Sequence, residues 1–237
     1  MKEIGKTLNN PIIQSFTMTS VYRIAVAENE HKGIDTARIN ISVGQEYHEG
    51  EKMMALAEWL DRNFSKTIVN VCDTLQRHNH RSMGIDSKNA YRMALAAGNQ
   101  WIDRNSRTIE TIQNAEIIRW NQWLYHPDWK NAEQVIDCLK ESDHQFVSIL
   151  NDTVNAFWER KKNKSESLKS TFEYYSKKYL LEESVCSVLA SDKNIVDIYP
   201  GTFLPLFSYM RQKQIPTLQN MTRVNFKRRK PQQNQVA

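Results

Sequence analysis

TARINISVGQEYHEGEK, residues 36 to 52, is the stretch that decides the fold of this chain. Polar and apolar side chains alternate from Arg38 to Ser42, and this period of two predicts a β-strand. The strand should end at Val43 and Gly44, because a glycine lets the backbone turn sharply. Ser42 is then expected at the carboxyl end of a strand, where ligands bind in open α/β sheets. That position makes Ser42 a candidate nucleophile, although many serines that close a strand serve only in the turn.

The residues around this strand predict an alternation of strands and helices. Val21 to Ala27 is apolar enough for a first strand, and Thr67 to Asp73 is rich in β-branched residues, as buried strands are. Gly50 to Phe64 carries apolar residues at helical spacing. A strand, a helix and a strand in this order predict a parallel α/β sheet.

The second half of the chain predicts further helices around the same sheet. We expect these elements to be helices over Ser87 to Arg107 (capped by Asp86 or Ser87), Asn131 to Lys161, the segment around Tyr179, and Leu204 to Gln214, with short strands over Ala115 to Trp120 and Ile195 to Ile198. The expected fold class is therefore α/β, a Rossmann-like parallel sheet flanked by helices.

Composition and charge limit the class of protein. At 237 residues and 40% hydrophobic, the chain can bury one core, and no apolar run approaches the ~20 residues that span a bilayer. The last fifteen residues hold five of the 32 basic residues, which leaves 27 basic against 27 acidic before position 223. We expect a loose lead-in over residues 1–16, a single domain over 17–222 and a basic, disordered tail over 223–237.

The N-terminus and the cysteines predict a cytoplasmic protein without a metal site. MKEIGKTLNN lacks the apolar core of a signal peptide. Cys72, Cys138 and Cys186 are odd in number and far apart, which indicates reduced thiols without metal-ligand spacing. His78 and His80 lack a third ligand nearby, so we expect them to be exposed to solvent.

A second stretch, Lys178 to Ser184, adds the groups that acyl transfer to an amine needs. Tyr179 and Glu183 are four residues apart and share one face of the predicted helix. Tyr199 ends a short apolar strand, and Pro200 fixes the turn after it. With Ser42, these side chains supply a hydroxyl, a carboxylate and two phenols.

At this point the chain resembles the cyclodipeptide synthases. The first half of the family pattern matches at Ile41 and Ser42, and the second half matches at Tyr179, Leu180 and Glu183. Three positions depart from the pattern: Asn40 replaces a glycine, Thr36 a histidine and Val185 a proline. Gln45 and the Tyr199-Pro200 pair resemble the family's Tyr-Pro subgroup, and the resemblance spans about Val21 to Arg211, including Arg119-Trp120.

The resemblance implies a fold like the catalytic domain of class I aminoacyl-tRNA synthetases and an activity that joins two tRNA-borne amino acids into a cyclic dipeptide. It implies that Ser42 attacks the first aminoacyl ester, giving an aminoacyl-enzyme in a ping-pong route. Tyr179 and Glu183 would hold the α-amino group, Glu183 would handle protons, and Tyr199 would assist transfer and cyclisation. Gln45 would shape the loop beside the nucleophile, and Gln45 and Pro200 are candidate substrate-binding residues. No metal, nucleotide or flavin cofactor is implied, and we expect a monomer.

Six basic residues between positions 77 and 107 are the candidate tRNA contacts. They are Arg77, Arg81, Lys88, Arg92, Arg104 and Arg107. Such a surface binds phosphates and positions the acceptor arm without reading its sequence. The alternative is an ordinary solvated helix face.

The residues before the serine and the second tyrosine predict the first amino acid. Side chains two apart on a strand share a face, so Arg38 and Asn40 should point the same way as Ser42, and Asp197 the same way as Tyr199. In the family such positions help line the pocket for the first side chain. Arg38 would bind a carboxylate through two hydrogen bonds, which favours Glu and then Gln. Alternatively, Asp197 neutralises Arg38 and leaves a merely polar pocket.

Two other classes of function stay open. One is a serine hydrolase or acyltransferase on small esters, although no histidine is spaced for a triad and no GxSxG elbow is present. The other is a tRNA-binding module without catalysis. The chain lacks HIGH-like and KMSKS-like ATP motifs, so we do not expect it to activate amino acids itself.

Overall fold

A six-stranded sheet is the centre of the computed structural model, which describes residues 20–28, 33–161 and 165–229. The expected lead-in over residues 1–16 lies outside the described residues. The strands are β1 (Tyr22–Glu28), β2 (Thr36–Ile41), β3 (Lys66–Val71), β4 (Ala115–Arg119), β5 (Ile195–Tyr199) and β6 (Asn220–Arg228). The order across the sheet is β1-β6-β5-β2-β3-β4.

Five of these strands are parallel, and the sixth makes the sheet mixed. Strand β2 pairs in parallel with β3 and β5, β3 with β4, and β5 with β6. Strand β1 lies at the edge and pairs with β6 in antiparallel orientation. The expected Rossmann-like α/β fold is confirmed, with this one antiparallel strand added to the expected parallel sheet.

Helices cover both faces of the sheet. Their bounds are α1 (Gly50–Asn63), α2 (Arg77–Arg81), α3 (Ser87–Ile109), α4 (Trp120–Leu124), α5 (Trp129–Ser142), α6 (His144–Arg160), α7 (Lys169–Leu189) and α8 (Pro205–Gln212). Of the two candidate caps for α3, Asp86 is the N-cap, and its carboxylate accepts the Asn89 N–H.

The single helix predicted over Asn131 to Lys161 is wrong, because α5 and α6 are separate helices that meet at Asp143. The backbone of Asp143 is extended, at φ −113° and ψ 93°. Its carboxylate accepts the N–H groups of Gln145 and Phe146, both at 3.0 Å, and the Tyr209 hydroxyl at 2.6 Å. An aspartate that caps a new helix breaks the pattern without any glycine or proline.

The two faces of the central strands differ in chemistry. Ala37, Ile39 and Ile41 of β2 are fully buried in the apolar core that α1 and Trp101 of α3 cover. The alternate positions point to the opposite face, which α7 covers, and there Arg38 is also buried. One face therefore provides the apolar core, and the other carries polar groups toward the carboxyl edge of the sheet.

The disordered tail predicted over residues 223–237 is wrong for its first part. Residues 223–228 belong to β6, an internal strand between β5 and β1. Val224 is 1% exposed in the main core, with Phe226 packed against that core. The positive charge of this segment predicted a disordered tail, but the apolar residues that lie between the basic ones face inward and pack in the core. Residues 230–237 lie outside the described residues.

Replacing Val224 tests this placement. Val224→Ala should lower the free energy of unfolding by about 2 kcal/mol, because it deletes two buried methyl groups and leaves a cavity. Denaturant unfolding measures the change, and Asn225→Ala, at the neighbouring exposed position of β6, should have little effect. Equal free energies of unfolding for the two variants would instead support the predicted disordered tail.

Candidate active site

The loop after β2 presents Ser42 at the carboxyl edge of the sheet. The Gln45 N–H donates to the Ser42 carbonyl at 3.1 Å, which closes a tight turn. Gly44 has a φ of +86°, a conformation that side chains disfavour, so this position requires glycine. The turn directs the chain away from the sheet directly after Ser42.

His48 holds the backbone of this loop. Its Nδ1 accepts the Ser42 N–H at 3.0 Å, and its carbonyl accepts Trp101 Nε1–H at 2.8 Å. Burial lowers the pKa of His48 to about 3. A neutral ring whose Nδ1 accepts a hydrogen bond carries its proton on Nε2. His48 therefore fixes the position of Ser42 but is too weakly basic to take its proton at neutral pH.

Ser42, Tyr179, Glu183 and Tyr199 line one cavity of about 590 Å³. Helix α7 places Tyr179 and Glu183 one turn apart on the face toward the sheet, and β5 ends at Tyr199. The structure thus brings together the four residues that the sequence places in the reaction. The other lining residues are Gln45, Tyr47, Gln76, Asn79, Phe157, Arg160, Lys161, Phe172, Ser176, Gly201, Thr202 and Leu204.

Burial disfavours the charged forms of Glu183 and Tyr179 in this cavity. Burial raises the pKa of Glu183 to about 8, and its Oε2 has no hydrogen-bond partner among the residues that the structure describes. Burial, with the nearby Glu183 charge, also raises the pKa of the Tyr179 phenol well above its usual value. At neutral pH the site therefore contains a protonated carboxyl group beside un-ionised phenols.

Glu182, next along α7, is held by three donors on the far side of the helix. Arg77 donates two hydrogen bonds to it, Trp120 Nε1–H donates one at 2.7 Å, and His78 Nε2 lies 3.0 Å away. Burial alone would raise the pKa of Glu182, but the hydrogen bonds and charges of His78 and Arg77 lower it overall. These contacts fix the rotation of α7 and so direct Glu183 into the cavity.

This arrangement alters the predictions for the basic segment and the histidines. Arg77 is committed to Glu182, and Arg81 donates to the Tyr175 hydroxyl and stacks over its ring, so both are structural contacts. His78, expected to be exposed, is 8% exposed because Glu182 draws it inward. Lys88, Arg92, Arg104 and Arg107 remain exposed on α3, with Arg104 bonded to Glu49 at 2.8 Å.

The residues predicted to line a pocket for the substrate side chain do not border the Ser42 cavity. Arg38 forms a two-pronged ion pair with Asp197, at 2.7 and 2.9 Å, and donates to the Ala190 carbonyl at 2.6 Å. Arg38 borders a different cavity of about 450 Å³, near Trp123, and among the described residues none borders both. Of the two alternatives, the structure shows Arg38 neutralised by Asp197.

Asn40 and Pro200 are likewise part of the framework. The Asn40 side chain accepts a hydrogen bond from Asn70 at 2.7 Å, and Asn70 accepts one from Trp123 Nε1–H at 3.1 Å. Pro200 is buried directly after β5. Of the predicted substrate-binding residues, only Gln45 lines the Ser42 cavity.

The sequence analysis missed two groups of cavity residues. Tyr47 lies in the loop after Ser42. In the sequence, its place among closely spaced polar residues is the only sign that it could belong to the site. Arg160 and Lys161 lie over the rings of Phe157 and Phe172, at 5.1 and 4.8 Å. They end a predicted helix and so received no role. The cavity therefore has a cationic, aromatic wall.

Among the residues that the structure describes, no three His, Cys, Asp or Glu side chains are grouped so that they could hold a metal ion. None of the helices described is both long and apolar enough to cross a membrane.

Comparison with known proteins identifies one family. The family model described as "Cyclodipeptide synthase" matches residues 14–189. None of the curated proteins is similar enough to match the chain.

Solved structures of proteins with that description share the fold. A CDPS from Fluoribacter dumoffii is 22% identical with a TM-score of 0.81, covering 88% of this chain and 100% of its own. The Candidatus Glomeribacter gigasporarum synthase bound to Phe-tRNAPhe is 20% identical with a TM-score of 0.65, covering 82% and 88%. A Mycobacterium tuberculosis protein, described as showing a relation to type I tRNA synthetases, is 16% identical with a TM-score of 0.66, covering 90% and 96%.

The burial of His48 predicts a pH-dependent stability. Its pKa of about 3 when folded lies below 6.5, the ordinary value, so the unfolded chain takes up the proton first as pH falls. Wild-type stability should therefore decline below pH 6.5, with this residue contributing a slope that approaches about 1.4 kcal/mol per pH unit. Denaturant unfolding between pH 5 and 8 measures the decline.

His48→Asn is the matched variant, because its Oδ1 replaces Nδ1 as an acceptor but does not titrate. The difference in stability between wild type and His48→Asn should shrink as pH falls from 8 to 5. A difference that stays constant with pH would show that His48 is not held neutral.

Proposed function

Because the chain belongs to the cyclodipeptide synthase family, a family of aminoacyltransferases that use aminoacyl-tRNAs, we propose that it joins two amino acids into a cyclic dipeptide through an aminoacyl-enzyme on Ser42. The observation that carries this proposal is the shared cavity of Ser42, Tyr179, Glu183 and Tyr199. A nucleophile, a titratable carboxyl group and two phenols that line one cavity suit two successive acyl transfers.

The first step is attack by the Ser42 hydroxyl on the ester carbonyl of an aminoacyl-tRNA. The Ser42–carbonyl bond forms, the bond to the ribose oxygen breaks, and the tRNA leaves with a proton on that oxygen. An ester is already activated, so this step does not require the Ser-His-Asp arrangement that amide hydrolysis uses. Among the described residues no basic imidazole lines the Ser42 cavity, which fits an ester substrate.

Tyr179 and Glu183 are placed to hold the α-amino group of the bound residue. An ammonium group beside Glu183 would favour the carboxylate and lower its pKa from the value of about 8 that burial imposes. The unpartnered Oε2 of Glu183 then gains a partner. The carboxylate can then accept a proton from an amine, which suits a base that must free an amine for attack.

In the second step the amine of another aminoacyl-tRNA attacks the ester on Ser42 and takes over its acyl group. Glu183, as the carboxylate, receives the proton that the attacking amine loses and passes a proton on to Ser42 Oγ as the bond between Ser42 and the acyl carbonyl breaks. The dipeptide on the second tRNA then closes when its free amine attacks the remaining ester. Tyr199, at the cavity wall, is proposed to assist transfer and closure by donating to the carbonyl oxygens.

The four exposed cations of α3 are the proposed contacts for tRNA phosphates. Lys88, Arg92, Arg104 and Arg107 form a surface that Arg77 and Arg81 do not join, since those two are bound within the fold. Phosphate contacts of this kind position a nucleic acid without reading its sequence. Since charged tRNA is cytoplasmic, we propose that location, and the Tyr199-Pro200 pair supports assignment to the Tyr-Pro subgroup.

Ser42→Ala tests the covalent step. The variant should fold but form no adduct and no cyclic dipeptide, because it lacks the nucleophile. Mass spectrometry of wild type mixed with charged tRNA should show one aminoacyl adduct on the peptide that contains Ser42. In Ser176→Ala, which removes the other serine hydroxyl of the cavity, the adduct should remain on that peptide. An adduct on another residue, or product from Ser42→Ala, contradicts the mechanism.

Glu183→Gln tests the proton transfer of the second step. From enzyme preloaded on Ser42, wild-type transfer to the second aminoacyl-tRNA should accelerate as pH rises through the pKa of Glu183, which burial raises and the bound amine lowers. Glu183→Gln should be about 10²-fold slower or more and keep only the pH dependence of the substrate amine. Glu133→Gln, an exposed carboxyl on α5, is the control. Wild-type rates from Glu183→Gln would exclude this role.

A further inference from the structure

The loop that carries Ser42 also brings Tyr47 into the cavity. Tyr47 lies in the short turn Glu46–His48, five residues after Ser42, and its side chain lines the same cavity. Its side chain forms part of the same cavity wall as those of Ser42 and Tyr199, and interactions with both lower its phenol pKa, which burial raises overall. Its ring packs edge-on against His48, with ring centroids 4.6 Å apart, so the residue that fixes the Ser42 backbone also supports Tyr47.

The ionisable groups near the cavity are not assigned to the Ser42 proton. His48 bonds the Ser42 N–H rather than its hydroxyl. Glu183 is the proposed partner of the substrate α-amino group, so that group occupies it during loading. Arg160 and Lys161 on the cavity wall are cations and cannot accept a proton.

A phenol solves this problem without becoming charged. It accepts a proton on its oxygen while it gives up its own, so a single group can pass a proton between two neighbours. Burial raises the pKa of Tyr47, which disfavours a phenolate as an intermediate. A concerted passage through the neutral phenol avoids forming a phenolate in a cavity where burial disfavours it.

We propose that Tyr47 is a catalytic residue that carries the Ser42 proton to the departing tRNA. As Ser42 Oγ bonds to the ester carbonyl, its proton moves to Tyr47 Oη. The phenolic proton of Tyr47 moves at the same time to the ribose oxygen as the ester bond breaks. Tyr47 ends as the neutral phenol with which it began, and no further reactant is consumed. This inference rests on the aminoacyl-enzyme under "Proposed function".

Tyr199 supports the relay from the other side. Burial raises the pKa of Tyr199, and interactions with Tyr47 raise it further, so Tyr199 stays a neutral phenol that can donate a hydrogen bond. In the relay, Ser42 and Tyr199 donate to Tyr47 Oη, and the phenolic proton of Tyr47 faces the substrate. The relay thus predicts that Tyr47 serves loading first, whereas Tyr199 serves transfer and closure.

Tyr47→Phe tests the relay, because phenylalanine keeps the ring beside His48 and deletes only the hydroxyl. In single-turnover loading followed by mass spectrometry, the rate of Ser42 acylation at saturating charged tRNA should fall by about 10²-fold or more. The concentration of tRNA that gives half the maximal rate should change little. Tyr174→Phe, an exposed tyrosine on α7 outside the cavity, is the matched control.

A second variant separates a relay from a structural role. Replacing Tyr47 by 3,5-difluorotyrosine keeps the hydroxyl and its hydrogen bonds but lowers the phenol pKa, so the pH profile of loading should shift toward acid. A profile that does not move, or full-rate loading by Tyr47→Phe, overturns the relay while leaving the adduct on Ser42 intact. Wild type that never forms an adduct overturns the aminoacyl-enzyme and the relay together.

Discussion

The anchoring of Glu182 is the interaction on which the site depends. Two adjacent carboxylates on α7 cannot share one environment, and the donors from Arg77, His78 and Trp120 all reach Glu182. A carboxylate with such partners stays ionised within the fold. Glu183, about 100° further around the helix, is left to face the cavity, where its pKa rises to about 8. A structural ion pair thereby creates a titratable group beside the nucleophile.

The polar face of the sheet follows the same principle of local pairing. Arg38 and Asp197 lie opposite each other in the register of β2 and β5, so their burial is compensated within the sheet. This ion pair occupies the Arg38 guanidinium, which would otherwise be free to bind a substrate carboxylate. The sequence shows both partners but not which of them meets the substrate. The ion pair within the protein is favoured over an ion pair between the guanidinium and a substrate carboxylate. The two side chains are fixed at neighbouring positions of one chain, whereas a substrate must be recruited from water.

Sequence reasoning succeeded where a local pattern matches a local cause. The alternation around Ser42 gave β2, and the spacing of Tyr179 and Glu183 gave one helix face. It failed where the deciding partner is distant in the chain. The carboxylate of Asp143 divides α5 from α6, β6 is ordered by pairing with β1 some two hundred residues earlier, and Arg77 meets Glu182 across 105 positions. Tyr47 was not identified from the sequence, because its neighbours in the cavity come together only in the folded chain.

A cavity whose acidic groups stay neutral limits the chemistry it can perform. Burial raises the pKa of Tyr47, Tyr179 and Glu183 alike, so none of these three cavity residues is an ionised base at neutral pH before substrate binds. The Ser42 N–H is committed to His48, so it is not free to stabilise an oxyanion. Such a site would be poor at breaking a stable amide. It suits an ester that arrives activated, because a neutral hydroxyl can attack it while phenols redistribute protons. The substrate, rather than the protein, then supplies most of the driving force.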